Sequence, residues 1–136
     1  MQVVRTQSPT SNRQSTINMK LHFSQFKVYK DTKKLITDIF KITRRFENGY
    51  WSLQDQINRS VISIALNIAE GSAKSSDRDF NRYILNALGS ATELSAAIDI
   101  AKDLKIISAS DYEHLSENII QIIKQLGGFS KYLKNN

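Results

Sequence analysis

The sequence holds no cysteine, one proline, five glycines and only two histidines, His22 and His114, far apart along the chain. The first absence excludes disulfides, thiolate metal sites and cysteine nucleophiles, and the sparse histidines leave metal chemistry few ligands. The shortage of proline and glycine removes the turn residues that a β-rich architecture needs. There is no run of eighteen or so uncharged apolar residues, and Gln2, Arg5, Gln7, Ser8 and Asn12 interrupt the start of the chain. Neither a membrane span nor a secretory signal is therefore expected, and the expected location is the cytoplasm. Phosphate-loop glycine patterns are also missing.

What is present suits one helical domain. The 136 residues, 40% hydrophobic and 24% charged, are enough to bury a core unaided. The net charge of +6 is unevenly placed: residues 1–86 carry +7 and residues 87–136 carry −1. A concentrated positive field favours a polyanionic partner, because lysine and arginine release counterions condensed on phosphates. Solubility alone is the plainer explanation.

Residues 1–18 are polar and turn-prone, with too little apolar material to offset the entropy of ordering, and read as a disordered arm ahead of a bundle domain over 19–136. A first helix is expected from about Ser24 to Phe46, with Val28, Leu35, Ile39, Ile42 and Phe46 on its apolar stripe. Its other face carries Lys27, Lys30, Lys33, Lys34, Lys41, Arg44 and Arg45. The last two also complement the helix dipole, which is sufficient structural reason for them. A second helix is expected to be capped by Ser52, with Asp55 completing a capping box, and to end at Gly71 as a left-handed terminator. Leu53, Ile57, Val61, Ile64 and Ile68 form its main stripe, while Ile62, Leu66 and Ala69 fall on nearly the opposite side. Between them runs a polar strip of Gln56, Arg59, Ser60, Ser63, Asn67 and Glu70.

A third helix is expected after Ser76, with Phe80, Ile84, Ala87, Ala91, Leu94, Ile98 and Ala101 alternating four and three apart, the spacing of bundle packing. Its alanines and Gly89 suggest close approach to a neighbour, and Arg82, Asn86, Ser90 and Glu93 form a second polar strip. A fourth helix is expected to be capped by Ser110 with Glu113, carrying Tyr112, Leu115, Ile119, Ile122, Leu126, Phe129 and Leu133. Short connections favour antiparallel neighbours, so the fold class is an all-α up-down-up-down four-helix bundle. Ile62, Leu66, Ile120 and Ile123 widen the apolar stripes beyond the core and argue for self-association or an apolar partner.

Nothing here amounts to an enzyme active site, cofactor site or metal site. Glu70 and Glu93 are the best acid–base candidates, but a structural network with Arg59 and Arg82 accounts for them more simply. No glutamate has a histidine three residues on, as a di-metal bundle requires. Phosphate contacts, if made, fall to the basic face of helix one together with Lys74 and Arg78. Tyr29 reads as core, and Trp51 as a hydrophobic staple beside Ser52 rather than a base-stacking ring.

The run from Leu53 to Gly71, ending Asn67-Ile68-Ala69-Glu70-Gly71, and the later Gly89-Ser90-x-x-Glu93-Leu94 resemble the bacterial four-helix bundle family encoded in intervening sequences of large-subunit ribosomal RNA genes. The likeness covers about residues 23–133. Asn58-Arg59 stands where that family commonly has paired arginines, and Ala65 where it often has proline. The resemblance implies a homo-oligomer, a ring of five copies with a basic surface, and no established catalytic residue. It extends in fold to accessory proteins of diversity-generating retroelements, which act with nucleic acid.

Overall fold

The computed structural model describes residues 22–135. The expected arm over residues 1–18 lies outside them. A 3₁₀ turn at His22–Gln25 leads into four helices: α1 (Lys27–Thr43), α2 (Trp51–Ser72), α3 (Asp77–Asp103) and α4 (Ala109–Lys134). Among the described residues there is no strand, and no helix is long and apolar enough to cross a membrane. Each helix packs on its sequence neighbours, α4 closes back on α1, and the α2–α3 pairing is the most extensive. This is the expected bundle.

The heptad seams form the core. Leu35, Ile39, Ile57, Ile64, Ile68, Ile84, Leu94, Ile98, Leu115, Ile119 and Ile122 are fully buried. Ile62 and Ile123, expected to face outward, are half-buried and pack against this core instead. Among the described residues, the four buried hydroxyls all have partners, as burial requires. Thr32 and Ser60 donate within their own helices to the carbonyls of Val28 and Gln56. Thr43 donates to Asn58 Oδ1 across α1–α2 at 2.9 Å, and Ser130 to Asn81 Oδ1 across α3–α4 at 2.6 Å.

Helix ends depart from expectation in instructive ways. Ser76 caps α3 as read, accepting from the Asp79 amide. The cap of α4 is Ser108, not Ser110: its side chain accepts from the Asp111 amide. Both serines fit the cap pattern, but buried Ile107 anchors the connection and Tyr112 joins the same core, which puts Ser108 in the staple-and-cap position. Helix α2 opens one residue before Ser52, with Tyr50 in the cap position and no side-chain cap bond. Gly49, at φ +104°, makes the turn that starts it.

Gly71 is not a left-handed terminator. It lies within α2, buried, where an added Cβ would sit 2.7 Å from Tyr83 Cβ and 2.9 Å from Phe80 Cδ1. The close approach of α2 to α3 is made there, and not at Gly89, whose Cα faces open space.

The terminator of α3 is unexpected. Lys105 adopts φ +60°, with its amide bonded to the Lys102 carbonyl and the Ile106 amide to Ala101, a Schellman motif with lysine where glycine is usual. A side chain in the left-handed region costs roughly 1–2 kcal/mol. Lys105→Gly is expected to raise stability by about 1 kcal/mol, seen as a rise of several degrees in the thermal midpoint.

Candidate nucleic-acid interface

At 3.6 residues per turn, Lys30, Lys33, Lys34, Lys41 and Arg44 fall on the side of α1 opposite its buried stripe. All five are exposed, and none has an ion-pair partner among the described residues. Lys30 and Arg44 are separated by about 21 Å along the helix. Lys33 lies over the Tyr29 ring, 5.7 Å from its centroid. Thr37 is the neutral residue within the stripe, and no acid stands on it.

The acids of α1 are on the flank facing α4, at positions seven apart. Asp31 accepts from Lys27 at 2.6 Å and from Gln125 at 2.9 Å. Asp38 meets His114 Nε2 at 3.0 Å, and the next residue of this series, Arg45, donates to Asp111 at 3.2 Å. The bonds from Lys27 and then Gln125 hold the Asp31 carboxyl below its ordinary range, against the opposite pull of partial burial. Lys27 and Arg45, expected as phosphate contacts, are thus engaged within the bundle.

Lys74 and Arg78 lie at the α2–α3 turn, the end of the bundle where α1 begins and α4 finishes. Phe26, Phe80 and Phe129 meet there, with ring centroids 5.1–6.2 Å apart. Lys74 stands 5.0 Å from the Tyr83 centroid, as does the Arg82 guanidinium. Antiparallel packing brings Lys131 and Lys134 to the same end. Sequence reasoning missed them; their dipole-complementing place in the last turn of α4 was the only signal.

The two polar strips meet within one chain, between α2 and α3. Gln56 donates to Glu93, and the Ser63 and Ser90 hydroxyls share a 2.8 Å bond. Asn67 turns its amide back to Ser63. Arg59 and Arg82 do not join this network as expected: each pairs with an aspartate of its own helix, Asp55 at 3.9 Å and Asp79 at 3.6 Å. Glu70 and Glu93 do not face each other. Glu93 meets α2 at Gln56, about 21 Å along that helix from Glu70. Among the described residues, no group of three or more histidine and carboxylate side chains could hold a metal.

Two aromatic expectations part ways. Tyr29 is half-buried against the core, as read, but Trp51 is 72% exposed and staples nothing.

Fold and surface together define an antiparallel four-helix bundle with one cationic helix face and polar seams. The chain belongs to the 23S rRNA-intervening sequence protein family, whose model matches residues 24–128. A crystal structure of a protein of unknown function from the S23 ribosomal protein family of Bacteroides thetaiotaomicron is 24% identical. The match covers 76% of this chain and 98% of that one, with a TM-score of 0.72, a likeness in fold. No curated protein matches the sequence.

Proposed function

We propose that this protein is a non-enzymatic, homo-oligomeric bundle that binds nucleic acid, RNA above all, without sequence specificity through the outer face of α1. The observation that carries the reading is the acid-free stripe of Lys30, Lys33, Lys34, Lys41 and Arg44. Such a stripe meets phosphates as point charges and gains affinity by counterion release. The basic end at Lys74, Arg78, Lys131 and Lys134 extends the field.

The oligomeric part rests on exposed apolar surface. Leu85, Gly89, Ala96 and Ile100 follow one another four, seven and four residues apart along α3, all on its outward side and all exposed. Ile120 and Gly127 lie on the adjoining flank of α4, also exposed. Small residues flanked by aliphatic ones let a second helix approach closely, and a monomer would leave this face wet. The self-association surface is thereby moved from Ile62 and Ile123, which serve the core, to α3. The family resemblance supports five copies.

Solution mass by light scattering, with and without a structured RNA, tests the reading. The expected result is a multimer that gains mass with RNA at low salt. Five phosphate contacts predict a fall in affinity of about 10²-fold or more between 50 and 200 mM salt. A multimer indifferent to RNA at every salt concentration would sink the nucleic-acid role. It would favour a protein scaffold using Leu66, which is 62% exposed on the outward side of α2.

A further inference from the structure

The chain has a single tryptophan, and it is in water. Burying an indole is among the larger apolar gains open to a small domain, so an exposed one calls for a partner. Trp51 makes no ring or cation contact, and its N–H has no acceptor among the described residues.

Its surroundings indicate what that partner is. Trp51 opens α2 at the end of the bundle where α1 finishes. Residues seven apart share a helix flank, so Trp51 lies on the same flank of α2 as Asn58, which receives the Thr43 hydroxyl from α1. The indole therefore stands on the side of α2 turned toward α1, about 10 Å beyond that contact. Arg44 follows Thr43 directly and Lys41 is one turn before it, the two bordering a recess that Asp38, Asp111 and His114 also line. An exposed aromatic ring at the end of a row of unpaired cations is the combination by which proteins hold single-stranded nucleic acid: cations track the backbone and the ring stacks on a base. Paired bases inside a duplex are already stacked and out of reach of the ring.

Resting on the nucleic-acid reading above, we propose that Trp51 is a stacking platform for an unpaired base, with Arg44 and Lys41 on the adjoining phosphates. The ligand class is then RNA with single-stranded nucleotides, in a loop, bulge or end, in preference to continuous duplex. Stacking is tolerant of sequence, which agrees with non-specific binding.

The single indole gives the test its own probe. The full-length protein is titrated with a short oligoadenylate and with a blunt RNA duplex of equal length, reading tryptophan emission and the anisotropy of labelled RNA. Oligoadenylate is expected to quench the emission and the duplex to leave it unchanged at equal saturation. Trp51→Ala is expected to weaken oligoadenylate about tenfold while leaving duplex affinity in place, and Trp51→Phe to keep most of the binding. Three results would overturn the proposal while sparing the phosphate-binding reading: both RNAs bind with the emission unmoved, Trp51→Ala weakens both equally, or the emission shifts on protein dilution without RNA, placing the indole between copies. Binding of neither RNA would end both readings.

Discussion

Reversing Lys30, Lys34 and Lys41 to glutamate together is expected to abolish most RNA affinity at low salt, about 10²-fold or more, and to lower the slope of log affinity against log salt by about three. These residues project from the solvent side of α1, none is ion-paired, and none supports the packing. The native stripe already sets Lys30 and Lys34 one turn apart as a like-charge pair, and three glutamates preserve a like-charge row. Lys34 also favours the Asp31 carboxylate one turn away, and its reversal removes that attraction, so stability should fall by about 1 kcal/mol, small enough to separate lost binding from lost folding. Lys124→Glu, a single reversal on α4, serves as the control and should cost much less than any one of the three reversals alone. Undiminished affinity in the triple variant would remove α1 from the interface.

A single methyl group is expected to produce the largest loss of stability. Gly71→Ala places a Cβ 2.7 Å from Tyr83 Cβ and 3.3 Å from the Phe80 carbonyl oxygen, atoms tied to the α3 backbone that yield only if the helices separate. Only Phe80 Cδ1, at 2.9 Å, belongs to a side chain free to rotate. Overpacking of this kind costs about 3 kcal/mol, equivalent to a fall of about 10 °C in the thermal midpoint. The same replacement at Gly89, where a Cβ meets nothing within 4 Å, should instead stabilise by about 1 kcal/mol through helix propensity. Opposite signs from identical changes, measured by chemical denaturation of the dissociated chain, separate a glycine packed within the bundle from one on its open outer face. Equal effects at both sites would refute the close approach.

These glycines also show where sequence reading stops. Heptad spacing in α3 and α4 marked their core seams, all but buried Ala97 and Ser130, because burial against neighbours is a periodic demand that the side chains must repeat. Gly71 satisfies two different rules: glycine ends helices, and glycine lets helices touch. Its neighbours Glu70 and Ser72 suit either, and only the position of α3 decides. Ser108 and Ser110 present the same ambiguity, resolved by the burial of Ile107. Lys105 carried no signal, since a left-handed lysine is imposed by the chain on either side of it.

For the candidate site, the cations of α1 were legible, as was the i,i+4 spacing of Lys27 and Asp31, but the withdrawal of Arg45 into an ion pair with Asp111 depends on which flank meets α4. The exposure of Trp51 was not legible because a buried staple and an exposed ring share the same place beside a helix start. The two polar strips were legible as strips, whereas their partners across the α2–α3 seam were not, since pairing needs the vertical register of the two helices.

That register has a consequence for the handedness of the bundle. Four antiparallel helices can circulate clockwise or anticlockwise with the same neighbours, differing in which flank of each helix meets which partner. The mirror circulation would turn the Asp31, Asp38 and Arg45 flank of α1 toward α2, and the strip of α2 bearing Gln56, Ser63 and Glu70 toward α1. Taking the Thr43–Asn58 contact as the common level, Asp31 lies twelve residues down α1 and Glu70 twelve residues on along α2. The mirror form would set these carboxylates face to face and leave Gln125 and His114 without their aspartates. Hydrophobic spacing is blind to this choice, which the seam hydrogen bonds and ion pairs of this sequence decide.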